Sequence, residues 1–204
     1  MLTNTHKYIG ISLVTAVIVI GAMLLGGNIH KRYAEYKYKC VQFDSVQSEL
    51  KYHKEAEEIN DYFARFDVTT RVDIIRQTLK AIDKLLPKYF PEGPYKRKDI
   101  ITIAMIESSF DKFLVGGSGE YGIFQIMPES CKWMGITKNQ FEIEVNTELA
   151  LFVLKKKFDE HENYKLAIIA YNGLVKRKGK IDETYWGKFI KYRRALDDIL
   201  VEDR

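Results

Sequence analysis

The chain has 204 residues, of which 46% are hydrophobic, with 32 basic and 28 acidic side chains and a formal net charge of +4. This length fits one ordinary domain plus some additional chain. The two cysteines, Cys40 and Cys131, form no disulfide framework, and the four histidines lack metal-ligand spacing. No phosphate-binding glycine motif is present, so we expect no cofactor, no metal and no nucleic-acid partner.

The first apolar segment is long enough to cross a membrane. Residues 9–27 hold nineteen positions without a charge, close to the roughly 20 that a bilayer requires. We expect a short tail at residues 1–8 and an uncleaved transmembrane anchor at 9–27, because no small-residue cleavage site follows. A removed signal peptide and a buried core helix are the alternatives. More basic residues follow the span than precede it, which by the positive-inside tendency favours a cytoplasmic location for the rest of the chain.

The next segment, residues 28–68, is polar and charged and contains neither Pro nor Gly. Its apolar residues recur at loosely helical spacing, which predicts a helical stalk. Such a stalk either holds a following domain away from the membrane or packs against that domain or a neighbouring copy.

Residues 69–204 read as a compact, mainly α-helical domain. A clean amphipathic stripe begins at Val72, and Pro87 is the first of several residues that we expect to break that helix. Four glycines between Gly116 and Gly122 predict a turn-rich loop with a short hairpin. Further helices are predicted over residues 147–160, 165–171 and 185–201.

Glu107 ends an apolar helix for which Asp99 is the predicted cap. At helical spacing it continues the stripe formed by Ile100, Ile103 and Ala104, and no Lys or Arg lies within four residues of it. Its carboxylate faces the negative pole of the helix dipole. Burial and dipole both disfavour ionisation, so we predict a raised pKa and a general acid. The alternative is a solvated residue where the helix reaches the surface.

Two other segments could converge on this acid. In the segment from Gly122 to Gln125, the glycine lets the backbone approach a ligand closely, and the glutamine amide offers a hydrogen-bond donor and an acceptor. A plain tight turn explains the glycines as well. The segment from Ala170 to Asn172 ends a short buried helix. The Tyr171 hydroxyl and the Asn172 amide could hold the acid in position or bind a sugar N-acetyl group. A core tyrosine followed by an asparagine cap explains that pair equally well.

Together the motifs resemble a known family. E-S-x-F from Glu107 to Phe110, G-x-x-G-x-x-Q-I-M-P from Gly119 to Pro128, and A-Y-N from Ala170 to Asn172 are similar in order and spacing to the lytic transglycosylases of the soluble-lytic-transglycosylase branch. The resemblance covers roughly residues 82–192, and Asn146 matches a position where the family commonly has Asn. Departures are Glu120, Phe124, and Gly173-Leu174 followed by the basic loop 176–180.

The resemblance implies a lysozyme-like fold and cleavage of the β-1,4 bond between N-acetylmuramic acid and N-acetylglucosamine in peptidoglycan, giving a 1,6-anhydro sugar. Glu107 would act as both acid and base, so that one carboxylate suffices. The resemblance also implies substrate-binding or orienting roles for further residues, with Tyr171 bonded to Glu107: Ser108, Tyr121, Gly122, Gln125, Tyr171 and Asn172. A lysozyme-type hydrolase, with Asp111 or Glu120 as second carboxylate, and a non-catalytic glycan-binding assembly protein are the alternatives.

The expected partners are peptidoglycan glycan strands, the membrane through residues 9–27, and proteins of an envelope-spanning machine or a virion. Because peptidoglycan lies outside the cytoplasmic membrane, the site predicts an outer location for the domain, against the flanking charges. The membrane of a bacteriophage virion is the alternative location. The sequence leaves host context and oligomeric state open.

Overall fold

The computed structural model describes residues 29–137, 139–173, 176–177 and 180–200. The predicted tail and anchor at residues 1–8 and 9–27 lie outside the described residues. Within the described part of the chain, no helix combines the length and the apolar character needed to cross a bilayer.

The secondary structure is mainly α, as predicted. The seven helices of the described ranges are α1 (Ile29–Ala64), α2 (Val72–Tyr89), α3 (Arg97–Glu107), α4 (Pro128–Met134), α5 (Ile143–His161), α6 (Tyr164–Tyr171) and α7 (Thr184–Ile199). Strands β1 (Lys176–Arg177) and β2 (Lys180–Ile181) pair antiparallel, with Lys176 opposite Ile181. The predicted break at Pro87 is wrong, because α2 continues through it to Tyr89. The proline removes the one hydrogen bond that residue 87 would otherwise donate to the Asp83 carbonyl, and the helix ends two residues later.

Helix α1 is continuous, but the boundary between two compact units falls inside it. One unit ends at Glu49 and the other begins at Leu50. In the second unit Ala56 and Ile59 are 0% exposed and Phe63 is 2% exposed, at spacings of three and four residues that share a helix face. The predicted stalk, 28–68, is therefore helical, but its second half is part of the domain core, and the domain starts before the predicted Thr69.

Helix α3 is the central helix of the domain. It packs against α2 and α7, and its apolar residues are buried on every side of the helix: Ile100, Ile101, Ile103, Ala104 and Met105. A helix that is apolar all round belongs in the interior of a domain. This packing fixes the position of Glu107, the last residue of α3.

Charged groups hold the N-terminal end of α3. Asp99, the predicted cap, is the third residue of α3, and the N-cap position is taken by Lys96. The Asp99 carboxylate accepts the backbone N–H of Lys96 at 2.7 Å and Arg193 Nε of α7 at 2.9 Å. The Arg97 guanidinium donates to Glu55 of α1 at 2.7 and 3.2 Å and to Asp83 of α2 at 2.7 Å. Four helices are thereby tied together at this end.

Candidate active site

Glu107 is the last residue of α3, and its carboxyl group is partly buried. The Tyr185 hydroxyl donates to Glu107 Oε1 at 2.5 Å. Burial raises the pKa of Glu107 to about 7, against hydrogen bonds from Tyr185 and Asn172 that lower it. Smaller effects come from the carboxylate of Glu120, which raises the pKa, and from Lys188, which lowers it. At neutral pH such a carboxyl group can both give and take a proton.

Tyr185 is the site residue that sequence reasoning missed. It lies in the first turn of α7, which starts where the Asp182 carboxylate accepts the Thr184 N–H at 2.9 Å. A signal was present, since Tyr185 and Phe189 are four residues apart on the buried face of an amphipathic helix. A buried tyrosine hydroxyl usually has a polar partner, and here that partner is Glu107.

The predicted bond from Tyr171 to Glu107 is wrong. The Tyr171 hydroxyl donates instead to the Phe124 carbonyl at 3.0 Å. Tyr171 is the last residue of α6 and lies next to residues 116–125, which we call the glycine loop. Its hydroxyl therefore bonds to the backbone of that loop and not to Glu107. The Glu107 charge still acts on it, adding to the burial that holds the pKa of Tyr171 well above its usual range.

Ser108 also bonds to the loop, since its Oγ donates to the Ile123 carbonyl at 2.8 Å. The next two residues, Ser109 and Phe110, adopt positive φ angles of 52° and 64°, which are uncommon for residues with a side chain. Phe110 is buried and meets Phe63 of α1 edge to face. This sharp, anchored turn ends α3 at Glu107 and brings the glycine loop against it.

The glycine loop is held by Asn146 of α5. Asn146 Oδ1 accepts the Phe124 N–H at 2.9 Å, and its Nδ2 donates to the carbonyls of Tyr121 at 3.2 Å and Gln140 at 3.3 Å. Gly122 has a φ of +76°, and a Cβ there would lie 2.7 Å from Asn146 Nδ2. Glycine is therefore required by this close approach within the protein.

Two predicted substrate residues serve the loop itself. The Gln125 amide donates to the carbonyls of Gly122 at 2.9 Å and Leu114 at 3.2 Å. Tyr121, for which a substrate-binding or orienting role was predicted, is 4% exposed, and its hydroxyl lies 2.7 Å from Cys131 Sγ. The predicted hairpin is present as two isolated bridges, which pair Tyr121 with Val115 and with Ile126.

Of the predicted residues, Asn172 reaches the acid with its side chain. An open, mostly polar cleft adjoins the pair, lined by Ile169, Asn172, Gly173, Asp182, Thr184, Tyr185 and Lys188. Within the described ranges, no group of His, Cys, Asp or Glu side chains could hold a metal ion. Glu107 contacts this cleft through Tyr185 and Asn172, which line it. The chemistry that its carboxyl group offers is the gain and loss of a proton.

The family match of residues 95–192 supports a lysozyme-like class of protein. In agreement with that class, the described domain is mainly helical and its central helix ends in a carboxyl group of raised pKa. Residues 95–192 match the transglycosylase SLT domain family, and this part of the chain is a domain of that family. An SLT domain implies peptidoglycan binding and peptidoglycan lytic transglycosylase activity. The resemblance seen in the three motifs is thereby confirmed.

A second similarity is local. Over 64 residues the chain is 41% identical to the C/D subunit of the NADH-quinone oxidoreductase of Bacteroides thetaiotaomicron (strain ATCC 29148). The match covers 31% of this chain and 12% of that protein, so it carries no inference about activity. No solved structure matches the chain.

Proposed function

We propose that the protein cleaves the β-1,4 bond between N-acetylmuramic acid and N-acetylglucosamine in peptidoglycan, with Glu107 as both acid and base. The observation that carries the proposal is the Glu107 carboxyl group, which has a pKa of about 7 and a hydroxyl donor at 2.5 Å. A group with that pKa can be protonated when the bond breaks and ionised when the product forms.

In the first step the protonated Glu107 donates its proton to the bridging oxygen, and the bond from that oxygen to the anomeric carbon breaks. The carbonyl oxygen of the muramic acid 2-acetamido group attacks the anomeric carbon and forms a cyclic cation. In the second step Glu107 takes the proton of the sugar's 6-hydroxyl, which attacks the same carbon and displaces the acetamido oxygen. No water is consumed, so no second carboxylate is required, unlike in glycosidases that use a pair.

The neighbouring residues would act on Glu107 or on the sugar. Tyr185 and Asn172 hydrogen-bond the Glu107 carboxyl group, which stabilises the anion left after the first proton transfer. Asn172 also lines the cleft, where its amide can orient the acetamido group. Through their bonds to the loop, Ser108 and Gln125 act as positioning residues.

Mass spectrometry of the fragments released from purified peptidoglycan by residues 50–204 tests the proposal. We expect 1,6-anhydro products from the wild type and none from Glu107→Gln. Glu120→Gln and Asp111→Asn are matched controls, since both change carboxyl groups of the following loop, and both should still give anhydro products.

Reducing-end products that disappear with Glu120→Gln or Asp111→Asn would instead identify a hydrolase. Binding without release, equal in the wild type and in Glu107→Gln, would identify a glycan-binding assembly protein.

We further propose that residues 9–27 anchor the protein in a membrane with the catalytic domain on the peptidoglycan side. The basis is the charge-free length of that segment together with the location of the substrate. The enzyme would then open the wall locally for wall remodelling, a secretion or conjugation machine, or phage entry. Protease digestion of intact spheroplasts should remove the domain, and its protection would contradict this orientation. Detection in purified phage particles would decide for a virion membrane.

A further inference from the structure

The N-terminal half of α1 carries a row of large side chains in solvent. Tyr33, Tyr36, Phe43 and Leu50 are each 57–68% exposed, and three further residues of the same helix segment are exposed to 53–64%: Tyr38, Val41 and Val46. The same helix buries Ile59 and Phe63 completely or almost completely further on. A row of this kind is apolar surface without a partner inside its own chain.

The spacing of the row is that of a coiled coil. Cys40 and Gln47 complete the series 33, 36, 40, 43, 47 and 50, in which steps of three and four residues alternate. This is an unbroken a/d pattern, with Tyr33, Cys40 and Gln47 at a and Tyr36, Phe43 and Leu50 at d. We call these six residues the seam. Cys40 is the largest cause of the raised pKa of Tyr36, as expected for residues four positions apart on one helix face.

We propose that the seam pairs with the same seam of a second copy of the chain, in parallel and in register, so that the protein is a dimer. Heptads repeat the same surface in both partners, so two copies can interlock their a and d side chains about a twofold axis. The proposal goes beyond the catalytic function and does not depend on it.

Charge at the flanking positions favours the parallel arrangement. Lys39 is at a g position and Asp44 at the following e position. In a parallel pair, Lys39 of each copy faces Asp44 of the other copy, which gives two such pairs across the interface. In an antiparallel pair, e positions face e positions and g positions face g positions. Gln47 supplies one polar a position, the kind of position at which a polar residue can specify register. The apolar segment that precedes the helix would also hold two copies parallel in one membrane.

The arrangement makes a specific prediction about Cys40, because equivalent a positions face each other across the axis of a parallel dimer. With the full chain in membranes and copper phenanthroline as oxidant, we expect a disulfide-linked dimer on a non-reducing gel. Cys40→Ser should abolish it, since Cys131 is buried. In that background Gln47→Cys should restore the crosslink, whereas Ser45→Cys and Ser48→Cys, which are exposed but off the seam, should not.

Equal crosslinking at positions 45, 47 and 48 would mean random collision in the membrane and would overturn the proposal. So would an absence of crosslinking at both Cys40 and Gln47→Cys.

A second measurement needs no cysteine. Phe43 and Val41 are two residues apart and similarly exposed, at 63% and 59%, but Val41 is at b, off the seam. In sedimentation analysis of the detergent-solubilised full chain, Phe43→Glu should reduce the protein mass from dimer to monomer, and Val41→Glu should leave it dimeric. A monomeric wild type, or the same mass for both variants, would contradict the proposal.

Discussion

Each end of α3 carries a carboxyl group, and the two groups differ in the pole of the helix dipole that they face and in the partners that they bond to. Asp99 at the N-terminal end lies near the positive pole of the helix dipole and accepts a backbone N–H and the Arg193 guanidinium. Glu107 at the C-terminal end faces the negative pole. Its hydrogen-bond donors are the neutral side chains of Tyr185 and Asn172, and the attraction of Lys188 is the smallest of the effects on its pKa.

The difference shows what separates a structural carboxylate from a proton-transfer group. Asp99 is buried, and its carboxylate is hydrogen-bonded by a backbone N–H and paired with a guanidinium. At Glu107 burial outweighs two hydrogen bonds, and the pKa rises from 4.5 to about 7. That shift corresponds to about 3 kcal/mol by which the fold disfavours the ionised form. The proposed acid is therefore maintained at the expense of stability.

Replacing the acid should have the largest effect. We expect Glu107→Gln to lower turnover roughly 10²- to 10⁴-fold or more, the usual contribution of general acid–base catalysis. Peptidoglycan release under identical conditions measures it. Retention of more than about a tenth of the wild-type rate would remove Glu107 from the mechanism.

The same variant should be more stable than the wild type at alkaline pH. Because the folded pKa of Glu107 is raised, the wild type loses stability as the pH rises from about 4.5 to about 7, by up to about 3 kcal/mol. Glutamine has no proton to lose. Denaturant unfolding should therefore find the two proteins equal near pH 4 and Glu107→Gln more stable near pH 8, and equal stability at both values would contradict the raised pKa.

Removing the carboxylate at the opposite end of α3 should lower the free energy of unfolding without changing the pKa of Glu107. Asp99→Asn leaves the Arg193 guanidinium with Asp197 as its remaining carboxylate partner and should destabilise the fold by about 2 kcal/mol. The pH dependence of the remaining activity should be unchanged, since Asp99 lies at the far end of the helix. A displaced pH profile would show that the two ends are coupled.

Removing the hydroxyl donor should have an intermediate effect on catalysis. Tyr185→Phe removes a hydrogen bond that lowers the pKa of Glu107, so the pKa should rise further. Turnover should fall roughly tenfold, and the loss of activity at alkaline pH should move to higher pH, because the acid stays protonated longer. Tyr171→Phe is the matched control. Its hydroxyl bonds to a carbonyl, so it should leave that part of the pH profile in place.

The smallest effect is expected where the charges are redundant. Glu55→Gln weakens one of the two carboxylate partners of Arg97, and Asp83 remains at 2.7 Å. We expect a loss of about 1 kcal/mol in unfolding free energy, with an unchanged pH profile. Glu57→Gln, at an exposed position of the same helix, should cost less than half of that.

The features that could be predicted from the sequence are those that depend on residues close together along the chain. Glu107 was recognisable because an apolar stripe, a helix end and the absence of nearby cations all lie within a few residues. The bond of Asp99 to the Lys96 N–H and the helical character of α1 were local in the same sense.

The errors concern contacts between distant segments. Whether Tyr171 or Tyr185 reaches Glu107 depends on how α6 and α7 pack, and the motif favoured the wrong one. The burial of Ile59 and Phe63 likewise depends on helices far along the chain, so a polar, helical segment read as a stalk. Asn146 stood out through the resemblance alone, and its three loop contacts come from residues 6 to 25 positions away.

The contribution of α1 to the core bears on how such a domain can be exchanged between proteins in evolution. The segment that matches the SLT family, residues 95–192, is not closed by itself, because Ile59 and Phe63 of α1 and Leu79 of α2 belong to the same core. Recombination that moved this segment alone would expose apolar surface and lose the carboxylates that hold Arg97. The unit that would have to be transferred intact therefore begins near Leu50.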